Sequence, residues 1–202
     1  MRAAAFSLTV LAALTFALPA GADDPPDPNA TEMAEFFSSF CLQKFPDDSA
    51  LDELAKNTHA VALRADEVTR YLHQDPGRGW SLKTPLAAYI VTIEAPPYHA
   101  CAVRRMTPSG LRTAKPYMSA VSAFVSGRQV KVSNMPPSKQ STPSGLDISA
   151  YGFILSDATG KPIENLFLML TNYLGRAPED MRAAAAGGVG VEVRMVRQFR
   201  PQ

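Results

Sequence analysis

Two cysteines, Cys41 and Cys101, lie about 60 residues apart in a chain that holds no others. What they can do depends on the compartment in which the chain folds, and the opening segment speaks to that. Arg2 precedes an apolar run from Ala3 to Ala17, followed by the helix breaker Pro19 and the small-x-small sequence Ala20-Gly21-Ala22. This is the layout of a secretory signal peptide, residues 1–22, with cleavage expected after Ala22. The apolar run, about 15 residues, is shorter than the ~20 that a bilayer-spanning helix needs, so no membrane span is expected after cleavage. No cysteine near the cleavage point is available for a lipid anchor. The expected location is therefore the periplasm or the medium. There an isolated cysteine pair is most simply one disulfide. Closing a loop of that size removes unfolded-chain entropy worth roughly 4 kcal/mol in the ideal model. The rival reading is a nucleophilic cysteine, because His99 and Cys101 share a face if they lie on a strand.

Charge narrows the partners. The chain carries 20 Lys+Arg against 19 Asp+Glu, and removal of residues 1–22 takes away Arg2 and no acidic residue, leaving the two signs balanced. Nucleic acid is not an expected partner. Asp23-Asp24-Pro25-Pro26-Asp27-Pro28 reads as an acidic, proline-rich tail with no apolar face. Residues 29–202 are then long enough for a single domain with its own core.

Periodicity predicts the elements. Asn29, with Glu32 three residues on, looks like a helix cap, and Met33, Phe36, Phe37, Phe40 and Lys44 follow helical spacing until Pro46. A second helix is expected from Ser49, with Asp52 in a cap-like pair and Leu51, Leu54 and Ala55 on one side. A third holds Val68, Tyr71 and Leu72. Asp75-Pro76-Gly77-Arg78-Gly79 reads as a loop delivering the only tryptophan, Trp80. Between Ala88 and Met106 the period becomes two and a hairpin is predicted, broken at Ala95-Pro96-Pro97. Thr113–Val125 returns to helical spacing with Gly127 as its stop. Residues 134–145 read as a polar, proline-rich loop and a candidate contact site. Ile148–Leu155 and Asn165–Thr171 form a second hairpin, and the run Leu166–Leu170 marks its second strand as central. A short helix from Pro178, stopped at Gly187, precedes a basic terminal strand, Val189–Phe199. Thr107-Pro108-Ser109-Gly110-Leu111 recurs as Thr142-Pro143-Ser144-Gly145-Leu146, but the flanks differ, so the recurrence is one of turn chemistry.

Site motifs are sparse. His59, His73 and His99 are isolated, with no HExxH and no CxxC, so no metal site is expected and no cofactor is implied. Gly187-Gly188-Val189-Gly190 follows a helix instead of opening one, which argues against a phosphate loop. The most informative non-core cluster is Trp80 with Tyr98, His99, Arg104 and Arg105, a set of aromatic and arginine side chains near loops that suits a binding surface. Its competing reading is a Trp80 at the core edge and a solvated strand face for the arginines. Arg194, Arg197 and Arg200 suit contact with an acidic partner, but basic residues on a terminal strand commonly just discourage edge pairing.

Phe40-Cys41 and Pro97-Tyr98-His99-Ala100-Cys101-Ala102-Val103 give the chain a resemblance to small uncharacterised exported proteins of alphaproteobacteria. In such proteins a signal peptide is followed by a Phe-rich helix carrying one cysteine, with the second cysteine in a strand. The resemblance implies a periplasmic location and a disulfide, and no activity. Taken together, the expectation is an α+β fold in which an antiparallel sheet of about five strands packs against three to five helices, with one disulfide. The functional expectation is a non-enzymatic envelope binding module whose partner is an envelope protein or a small ligand. The alternative is a periplasmic hydrolase using His99 with a cysteine or a carboxylate.

Overall fold

A computed structural model describes residues 28–142, 146–173 and 190–200. The signal-like segment, the aspartates of the tail, the centre of the second Thr-Pro-Ser-Gly turn and the helix expected from Pro178 lie outside these residues. Four α-helices are described: α1 (Pro28–Phe36), α2 (Asp48–Asn57), α3 (Ala65–Leu72) and α4 (Lys115–Val125). The helical face predicted through Lys44 does continue past α1, but as a π-helical segment, Phe37–Lys44. Pro28, assigned to the tail by its composition, is already the first residue of α1. α2 is capped by Asp47, whose Oδ1 accepts from the Ala50 backbone N at 3.0 Å, so the cap lies before Ser49 and does not involve Asp52.

Eight strands form one antiparallel sheet: β1 (Val61–Ala62), β2 (Gly77–Lys83), β3 (Ala88–Glu94), β4 (Ala100–Thr107), β5 (Lys131–Ser141), β6 (Asp147–Ser156), β7 (Pro162–Asn172) and β8 (Val191–Phe199). Their order is β1-β2-β3-β4-β8-β7-β6-β5. The α+β class and the antiparallel sheet agree with the sequence reading, whereas the strand count exceeds about five.

The excess consists of the short β1, which the sequence reading lacks, and of two expected loops that are strands; a third correction concerns the position of β8. The expected loop at Asp75–Gly79 gives way to a strand at Gly77. A Cβ there would lie 2.3 Å from the Ile93 carbonyl oxygen and 2.4 Å from Leu72, so glycine lets α3 and β3 approach closely. The expected loop at 134–145 is largely β5, an edge strand whose register shifts between Met135 and Ser138, at Pro136 and Pro137. The basic C-terminal strand is no edge: β8 pairs with β4 on one side and β7 on the other.

The core lies between one sheet face and the layer formed by α1, the π segment and α4. From the sheet it takes Trp80, Tyr89, Val91, Ile93, Cys101, Val103, Val193, Met195, Leu166, Leu168 and Leu155; the helical layer adds Met33, Phe37, Phe40, Tyr117 and Val121. The Phe-rich stripe is thus core. Cys41 and Cys101 form the expected disulfide, Cα–Cα 5.3 Å, joining the π segment to β4.

Candidate binding site

Arg197 builds the site from behind. It is the register partner of Cys101, and with 5% exposure it is almost out of solvent. Its Nε donates to Glu164 Oε2 at 2.8 Å, and its Nη1 donates to the carbonyl oxygens of Cys41, Leu42 and Phe45 at 3.0, 3.2 and 2.8 Å. Those carbonyls stand at the end of the π segment, where helical acceptors lack intrahelical donors. The guanidinium therefore caps the segment from the sheet. Arg128 donates from Nη2 to the other oxygen of Glu164 at 2.8 Å. Burial alone works to raise the Glu164 pKa, but the two arginines outweigh it and hold the carboxyl below its ordinary value.

This clamp fixes Phe45 and, at the end of β8, Phe199. Their ring centroids lie 5.4 Å apart, and the His99 ring sits 4.8 Å from Phe45 and 5.3 Å from Phe199. His99 adopts φ +38°, and its carbonyl accepts from the Phe199 backbone N at 3.1 Å. In front of these rings opens a cleft of about 540 Å³ with Pro46, Pro96, Pro97 and Pro162 among its walls, together with Ile163 and Phe199. Its volume lies in the range of small-molecule sites.

The polar groups of the cleft divide by whether they are already used. Glu164 is saturated by its two arginines. Asp157 Oδ1 accepts from the backbone N of Thr159 and Lys161 and from the Thr159 hydroxyl, at 2.9, 3.0 and 2.5 Å. Its carboxyl is held below the ordinary range, first by the Thr159 hydroxyl. Arg200 donates its Nε to Asn165 Oδ1 at 3.0 Å; Lys161 and Arg200 are both exposed. The acidic groups are consumed internally and the basic ones face out, so the cleft suits an apolar body with an anionic head.

The residues singled out from the sequence do not form one surface. His99 lines the cleft, and Tyr98, 49% exposed, adjoins it. Trp80 is buried, its ring centroid 6.3 Å from that of Phe40 and the Arg78 guanidinium 5.0 Å from its own ring. Arg104 and Arg105 point to opposite faces of β4, as adjacent strand residues must, and both are buried, not part of a solvated strand face. The cysteine nucleophile is ruled out because both sulfurs are in the disulfide. His59 and His73 take φ +54° and +52° beyond α2 and α3, positions that favour a polar residue able to adopt the left-handed conformation. Among the described residues no cluster of His, Cys, Asp and Glu suits a metal, and no helix is long and apolar enough to cross a membrane. Sequence reasoning missed Lys161, Ile163 and Phe199 as wall and rim residues. The only local signal for Lys161 and Ile163 is the adjoining Pro162, which marks a turn but not what the turn encloses. No protein-family model, curated protein or solved structure matches this chain.

Proposed function

We propose that the protein is a non-catalytic binding module of an exported, oxidising compartment, and that its cleft takes a small amphipathic anion. The disulfide is compatible with such a compartment. The observation that carries the reading is the sorting of charged groups in the cleft, where Glu164 is paired with Arg128 and Arg197 and Asp157 is tied into its own turn, while Lys161 and Arg200 are exposed at the rim. The apolar part of the ligand lies against Pro46, Pro97, Ile163 and Phe199, and its head meets the two cations at the rim.

Titration calorimetry with octanoate and octylamine, which share an apolar chain and differ in head charge, tests this directly. Octanoate saturates one site and octylamine does not. A Lys161→Glu variant, altered only at an exposed side chain, weakens octanoate roughly tenfold at an unchanged unfolding temperature. Equal affinity for the two probes, or an unaltered octanoate affinity in the variant, overturns the reading.

A further inference from the structure

At the opposite end of β4 from His99 lies a second, smaller pocket of about 300 Å³, bounded by Pro28, Asn29, Arg105, Thr107, Gly110 and Arg112. Arg105 is only 8% exposed, yet its Nε and Nη1 have no hydrogen-bond partner. This is unusual. A buried guanidinium normally has its donors taken up, because removing its N–H groups from water without replacement is costly. Two of the neighbouring acceptors are engaged elsewhere. Glu32 Oε2 accepts from the Tyr89 hydroxyl at 2.6 Å and from the Thr84 hydroxyl at 2.9 Å. The Thr107 hydroxyl closes its own turn, accepting from the Gly110 backbone N at 2.5 Å. That turn is the first Thr-Pro-Ser-Gly sequence. Gly110, at φ +85°, lets it fold back beside the pocket. Arg112, exposed, adds a second positive charge at the mouth.

We propose that this pocket is a carboxylate-binding site in which Arg105 is the buried anchor and Arg112 the rim cation. Two sources offer that chemistry. One is the chain itself: Pro28 forms part of the wall, and the five residues that precede it in sequence, Asp23-Asp24-Pro25-Pro26-Asp27, include three carboxylates. The other is a free carboxylate. Both differ from the cleft at His99 in location and in depending on Arg105.

The test uses the full chain and acetate as the probe, against chloride at equal ionic strength. If the chain supplies the carboxylate, a variant with Asp23, Asp24 and Asp27 all changed to Asn unfolds several degrees lower, and acetate restores it. If the carboxylate is free, the same substitutions change nothing, and acetate raises the unfolding temperature of both proteins. In either case acetate shifts the Arg105 Nε–H resonance in a nitrogen-15 spectrum and chloride does not. Arg105→Gln removes the response; should that variant fail to fold, Arg112→Gln on the exposed rim weakens it. The proposal is overturned if neither the aspartates nor acetate has any effect, or if the acetate response is undiminished in both arginine variants.

Discussion

Arg197 and Arg104 lie on opposite faces of one sheet, 5% and 4% exposed, and burial alone does not tell them apart. Their partners do. Arg197 has a carboxylate and three backbone carbonyls, and its guanidinium lies 4.8 and 4.9 Å from the ring centroids of Phe124 and Phe199. Arg104 has the Tyr71 carbonyl at 3.2 Å and the Thr92 hydroxyl at 3.0 Å, while its Nε has no acceptor. Its register partner across the strands is Arg194, a like charge. Burial, reinforced by Arg194, brings the Arg104 pKa down to about 10. A buried arginine thus stabilises this fold where its donors meet acceptors that the chain itself has stranded, here the end of a π-helical segment. Where it faces another cation it contributes far less.

The sharpest way to break the comparison is to remove Arg197. Arg197→Met leaves three carbonyls uncapped and Glu164 with Arg128 as its only cation, a change of the class that costs about 3–5 kcal/mol. Urea unfolding is expected to show this as a lower midpoint. The acid limb should move as well. The Glu164 pKa is below its ordinary value in the folded protein, so its contribution is present above the unfolded-state value and is lost as pH falls through the folded one. Without Arg197, burial regains weight and the folded-state value rises, so acid unfolding begins at a higher pH than in the wild type. An unchanged midpoint and acid limb would show that Arg197 is ornamental.

That clamp marks the boundary of what the sequence makes legible. The hairpin of β3 and β4, the hairpin of β6 and β7 and α4 with its stop at Gly127 follow from local pattern, because alternation and helical spacing report burial along one segment, while the cysteine pairing follows from there being just two cysteines. Pattern was silent where burial comes from elsewhere in the chain. Arg197 looks like a solvated residue on a terminal strand until β8 is seen between β4 and β7. β5 shows no apolar alternation because almost all of it is exposed at the sheet edge. Trp80, Tyr98 and Arg104 are close in type and in sequence neighbourhood, but strand geometry sends them to different surroundings. The cleft follows the same logic: its walls come from the turns at Pro46, Pro96-Pro97 and Pro162 and from the end of β8, four places that only the folded sheet unites.

A smaller effect is expected on the other face. Arg104→Met removes two hydrogen bonds but also a cation beside Arg194, and Glu192 keeps its bonds from Arg194, at 2.9 and 2.5 Å. Burial raises the Glu192 pKa, but Arg194 and Arg104 together bring it below the ordinary value, and Arg194 is the larger of the two influences. The variant is therefore expected to lose about 1–2 kcal/mol, clearly less than Arg197→Met under the same urea conditions. A loss equal to that of Arg197→Met would mean that burial, and not the supply of acceptors, sets the value of both residues.

The smallest effect belongs to an arginine with ideal partners and no burial to protect them. Arg78 donates to Asp52 from Nη1 at 2.8 and 2.9 Å and to Asp48 Oδ1 from Nη2 at 2.8 Å, a better set of carboxylate contacts than either buried arginine has. Yet its side chain is 36% exposed, and those of the two aspartates are 57% and 76% exposed, so water and salt screen the pairs. Arg78→Ala also gives up a face-on contact with Trp80. The expected cost is still below about 1 kcal/mol at low salt and smaller at high salt. If the cost persists undiminished in high salt, packing on Trp80 and not the ion pairs is what Arg78 supplies, and contact distance alone would then be a poor guide to the worth of any arginine in this protein.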